Sequence, residues 1–84
     1  MKTLVGTFVI SLCGHDKGLT YLVVGEEERC VLLADGKTRR LGKPKCKNKK
    51  HILPLQLPIV NEVAVLTDGV LRKRLRELGE DTVS

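Results

Sequence analysis

Apolar positions in the first part of the chain fall into four short runs, each bounded by turn-forming residues. Thr7 to Leu12 is rich in β-branched and aromatic side chains and ends at Gly14. Tyr21 to Val24 stops at Gly25 and the acidic turn Glu26-Glu27-Glu28. Cys30 to Ala34 stops at Asp35-Gly36, the strongest short-range hairpin signal in the chain, so Thr38 to Leu41 is the expected return strand. A last short strand is expected at His51 to Leu53, stopped by Pro54. The runs are nearly continuous rather than alternating, so the pattern assigns no inward face. Several short strands separated by tight turns predict a mainly β domain, a small barrel or sandwich.

Beyond the strands, Leu53 to Leu66 carries Pro54 and Pro58, which rule out a regular helix and predict an extended segment wrapped over the barrel. A short C-terminal α-helix then fits Asp68 to Leu78, capped by Thr67 or Asp68 and ended by Gly79. Leu71, Leu75 and Leu78 fall on one face of that helix, and Arg72, Lys73, Arg74 and Arg76 cover the rest. Asp81 to Ser84 reads as a frayed tail. The expected organisation is a barrel over residues 1–55, an extended Pro-containing linker over 56–66, and the helix and tail over 67–84.

Charge changes this picture more than composition does. The chain has 84 residues, room for one small domain, and 42% hydrophobic residues, a globular proportion. Its net charge of +5 is concentrated in one place. Between Lys37 and Lys50, eight of fourteen residues are Lys or Arg and none is acidic; the rest of the chain has seven basic and ten acidic residues. Such a segment suits a polyanion, RNA first. Phe8 and Tyr21 are the only aromatics, too few to stack successive bases of a bare single strand, so structured RNA is preferred. No segment is long and apolar enough to cross a bilayer. The first fourteen residues have the Lys and apolar run of a signal peptide, but Gly6, Thr7 and Ser11 interrupt it and its removal would delete the first strand. Three cysteines at irregular spacing make no disulfide framework, and a cytoplasmic location is expected.

Certain residues resemble a known family. Gly6, Val9, the loop Gly14-His15-Asp16-Lys17-Gly18 and Val23 look like the KOW motif of ribosomal proteins and transcription elongation factors. The stretches ADGKTRRL and KPKCKNKKHILPL resemble the large-subunit ribosomal KOW proteins of the eukaryotic and archaeal fourteen-e type, and more closely their small bacterial relatives. The resemblance covers residues 4 to 55; Tyr21 stands where many such motifs have a further glycine. It implies an SH3-like barrel and RNA binding, in a ribosomal or ribosome-associated translation factor, and it implies no catalysis.

The candidate RNA-binding residues are His15, Lys17, Lys37, Arg39, Arg40, Lys43, Lys45, Lys47, Lys49 and Lys50. The cations of the run neutralise phosphates, and Arg39 and Arg40 can bind phosphate or a guanine edge in two-pronged fashion. Spacing alone makes the 14–18 loop an ordinary connection between strands. The resemblance makes it an RNA contact, with Lys17 beside exposed amides and His15 stacking on a base or donating to a phosphate. Cys13, His15, Cys30, Cys46 and His51 lack the paired spacing of a zinc site, so no metal or other cofactor is expected. Cys13 and Cys30 read as small hydrophobes in apolar strands; Cys46, set among lysines, is the thiol expected to meet oxidants. No nucleophile–base pair or P-loop is visible, so neither an enzyme nor a small-molecule substrate is expected. Two alternative readings stand beside it: a protein-interaction module, an SH3-like adaptor in transcription or translation without direct RNA contact, and an RNA-processing or ribosome-quality accessory whose acidic turn Glu26 to Glu28 docks a basic protein. The sequence leaves oligomeric state open.

Overall fold

The computed structural model describes residues 3–83, with side chains described through Leu78. Five strands form one antiparallel sheet: β1 (Phe8–Ser11), β2 (Thr20–Glu26), β3 (Cys30–Ala34), β4 (Lys45–Asn48) and β5 (Ile52–Pro54), in the spatial order β4-β3-β2-β1-β5. Among the described residues one α-helix, α1 (Asp68–Val83), follows. Pro54 ends its strand at a sheet edge, where its missing N–H costs no ladder bond.

The sheet is strongly curled. One 3-10 turn, Lys49–His51, carries the chain from edge strand β4 to the opposite edge strand β5. At about 2 Å per residue such a turn spans roughly 8 Å. The edges of a flat five-stranded sheet would lie about 19 Å apart. A bulge in β2 between Val23 and Gly25 adds twist. Among the described residues β4 and β5 share no ladder, so the sheet curls without closing.

Both faces of the central strands are covered, which explains why their sequences show no alternation. Val9, Tyr21, Val23, Val31, Leu33 and Ile52 pack inside the curl. Phe8, Leu22 and Ala34 point outward beneath Val60 of the linker and Leu71 of α1. The expected leucine stripe of the helix is present: Leu71 is fully buried, and Leu75 and Leu78 pack against the same cluster. The linker has no regular structure until a 3-10 turn at Val63–Val65. It is tied down where the Val60 amide donates to Gly6 O at 2.9 Å. Gly6 has a φ of 91°, and a Cβ there would strike the Val60 carbonyl oxygen.

Two expectations change, and an open one is decided. Thr38 to Leu41 is not a strand; the partner of β3 is Lys45–Asn48. The Asp35 carboxylate accepts the amides of Lys37 (2.9 Å) and Arg39 (2.8 Å), folding the chain into a compact loop before a ladder can start. Gly79 does not end the helix, which runs on to Val83, so the expected tail is helical over 81–83, and Ser84 lies outside the described residues. Thr67 is the cap: its Oγ1 accepts from the Val70 amide at 3.3 Å, while Asp68 is used elsewhere.

Candidate functional site

Antiparallel connectivity sorts the basic residues by position. The β1–β2 loop, with His15 and Lys17, and the β3–β4 loop 35–44, with Lys37, Arg39, Arg40 and Lys43, emerge at the same end of the sheet. All six of these side chains are exposed. Lys49 lies at the opposite end, where its amide donates to Arg29 O at 2.9 Å in the β2–β3 turn, whereas His51, closing the same 3-10 turn, accepts from the Leu12 amide at 2.9 Å beside the β1–β2 loop, so the basic run is split.

Lys45 and Lys47 belong to neither end. Strand alternation turns both toward the concave face, where Lys47 sits opposite Val31 and Lys45 opposite Leu33. The Lys47 ammonium donates to Ser11 Oγ (2.7 Å), Cys13 O (2.8 Å) and Asp16 Oδ1 (2.7 Å), which uses all three of its protons. Lys45 bridges to Asp16 Oδ2 at 2.8 Å. Asp16 and Ser11 are buried, and the Ser11 hydroxyl donates to Asp16 Oδ1 at 2.9 Å. Burial raises the Asp16 pKa, but the hydrogen bonds from Lys45, Lys47 and Ser11 outweigh it and hold the carboxyl well below the usual carboxylate range. The cluster joins β4 to β1 across the curl, so Lys47 is a structural cation rather than a phosphate contact. Lys49 is likewise engaged, bridging to Glu26 Oε2 at 2.9 Å. The other Glu26 oxygen accepts from the Leu4 amide (2.8 Å) and Thr3 Oγ1 (2.9 Å). These hydrogen bonds, the Leu4 amide foremost, bring the Glu26 pKa down to about 2. The acidic turn thus spends its first carboxylate holding the N-terminal segment to β2, not presenting it to a partner.

The 14–18 loop is also partly self-satisfied. The amides of Lys17, Gly18 and Leu19 donate to Gly14 O, Ser11 O and Asp16 O, so they are not presented to a ligand. Gly14 and Gly18, at φ of 89° and 88°, provide the turn that folds Asp16 inward and leaves His15 and Lys17 outward.

Loop 35–44 is pinned rather than loose. The Leu41 amide donates to Asp68 Oδ1 at 2.7 Å, and an Arg72 guanidinium nitrogen donates to Gly36 O at 2.9 Å. Gly36 has a φ of 76°, and a Cβ there would meet the backbone oxygen of Asp68. This docking creates a groove of about 560 Å³, bounded by Leu19, Thr20, Asp35, Lys37, Arg72, Leu75 and Arg76. Arg72 and Arg76, from the basic part of the helix, are the functional candidates that the linear basic run does not contain. Their signal was the spacing around Leu75: a half-buried leucine flanked at three and one positions by arginines places both at the edge of the packed face. Phe8 and Tyr21 are 5% and 3% exposed, so neither can stack on a base.

No protein-family model matches this chain, and no curated protein matches it significantly.

Proposed function

We propose that the protein binds structured RNA as a small SH3-like module of the KOW type, on the ribosome or in association with it. The interface is the end of the sheet that carries His15, Lys17, Lys37, Arg39, Arg40 and Lys43, extended by Arg72 and Arg76 across the groove. The observation that supports this most is the docking of loop 35–44 on α1, which holds Lys37, Arg72 and Arg76, cations from two chain segments, around one groove. An anchored set of cations loses less side-chain and loop entropy on meeting a phosphate backbone than a floppy loop does. The single 3-10 turn between β4 and β5 and the curled five-stranded sheet support the SH3-like reading. With both aromatics in the core, recognition rests on phosphate geometry and arginine forks, which favours folded RNA over bare strands.

The test is sedimentation of tagged protein through a sucrose gradient at low and high salt, with sequencing of crosslinked RNA. Co-migration with the large ribosomal subunit, lost at high salt and in the double variant Arg39→Glu/Arg40→Glu, is the expected result. A correctly folded protein that stays at the top of the gradient and crosslinks no RNA would refute it and favour the protein-interaction module.

A further inference from the structure

Two cysteines that lie sixteen residues apart in sequence meet on the outer face of the sheet. The β3–β4 register pairs Cys30 with Asn48 and Leu32 with Cys46, so Cys30 and Cys46 are diagonal neighbours on one face. Their sulfurs are 2.7 Å apart, and both are free thiols. The Cys46 thiol donates to Cys30 Sγ, and the Cys30 thiol donates to Glu27 Oε1 at 3.0 Å. Glu27 is held beside them by the β2–β3 turn, where its amide donates to Cys30 O at 2.8 Å. The three possible ligand atoms lie within 4.8 Å of one another.

We propose that Glu27, Cys30 and Cys46 form a binding site for a thiophilic divalent cation of the zinc class, with two thiolates and one carboxylate as ligands and a fourth position open to water.

The donor set fits such an ion. Zinc takes Cys sulfur at about 2.3 Å and carboxylate oxygen at about 2.0–2.2 Å, which places tetrahedral ligand atoms roughly 3.5–4 Å apart. Small side-chain rotations reach that spacing from the present one. The protons also fit. Two S–H groups run in a chain toward one carboxylate, from Cys46 to Cys30 to Glu27. Removing both protons would leave three negative groups in contact, and a divalent cation relieves that repulsion. Binding at neutral pH therefore exchanges the cation for both thiol protons, leaving a complex with a net charge of −1. Alternation along β4 turns the ammonium groups of Lys45 and Lys47 to the concave face, away from the sulfurs, and Lys49 is paired with Glu26. Cys46 and Glu27 are exposed, so the ion has a direct path. Sequence inspection misses this set because the sulfurs are brought together by strand register and not by a local knuckle.

The probe is Co²⁺, followed by Zn²⁺ competition, added to full-length protein kept reduced with a phosphine. The expected result is one Co²⁺ per chain, with a sulfur-to-cobalt charge-transfer band, tetrahedral d–d bands and release of two protons per ion. Zn²⁺ should displace it and raise Tm. Cys46→Ser and Cys30→Ser should abolish the band while retaining the wild-type circular dichroism spectrum, and Cys13→Ser should leave it intact. Absence of the band in reduced wild type overturns the proposal, as does a band that survives loss of either thiol. Half an equivalent of metal with dimer formation overturns the single-chain site. Failure of RNA binding would not bear on this site, which lies away from the proposed interface.

Discussion

Asp16 shows how a residue in a loop motif can serve the fold. It is flanked by the exposed His15 and Lys17, yet its carboxylate is buried against two ammonium groups and a hydroxyl. Asp16→Asn should destabilise the protein by on the order of 2–3 kcal/mol, below the figure for a fully buried pair because Lys45 stays partly hydrated. Urea denaturation would measure it. The pH dependence has a definite sign. The folded pKa of Asp16 lies below the unfolded value near 3.9, so its contribution is fully present above that value and is lost as pH falls through the folded one. The stability gap between wild type and Asp16→Asn should therefore be constant near neutrality and shrink progressively below about pH 4. Glu26, brought down to about 2, acts with the same sign over an overlapping range. Lys47→Met should lower stability without changing the salt slope of RNA binding, because its ammonium has no proton left for a phosphate. A lower salt slope in a folded Lys47→Met protein would contradict that assignment.

At the scale of elements, the loop 35–44 and α1 act as one unit. Gly36→Ala must adopt a left-handed conformation and clashes with the Asp68 carbonyl, so a loss of at least about 2 kcal/mol is expected, read from the thermal or urea midpoint. Within the interface, Arg76→Ala and Lys37→Ala should each reduce the log–log salt slope of RNA binding by about 0.7–0.9. Lys49→Ala, at the β2–β3 end of the sheet with its ammonium paired to Glu26, should leave the slope unchanged. If Lys49→Ala weakens binding as much as Lys37→Ala does, the interface follows the linear run rather than the end of the sheet. The strands were readable as elements because β-branched runs between turn residues predict extended chain, and β3 was placed residue for residue. The return strand was misplaced because Asp35 closes a side-chain-stabilised turn that delays pairing until Lys45, and an Asp-Gly signal does not report how long its loop is.

For the whole molecule, the linker and helix are half of the packing scheme. Phe8, Leu22 and Ala34 would face water without Val60 and Leu71. Leu71→Ala should cost about 3 kcal/mol, a large share of the stability of so small a domain. Calorimetry would show whether it melts as one cooperative transition, as a single shared core requires. A separate transition for the helix would mean that the sheet is stable alone.

The sequence by itself determined the β-rich character, the existence and inner stripe of the helix, the extended Pro-containing linker and the excess of positive charge. Each follows from local propensity, periodicity or composition, which need no partner in space. Only the tertiary structure decided which cations face solvent, because strand parity and the curl send Lys45 and Lys47 inward to Asp16 while Lys49 is drawn to Glu26. The groove between Lys37 and Arg76 and the meeting of Cys30 with Cys46 likewise depend on loop docking and register, which are set by contacts between residues far apart in the chain.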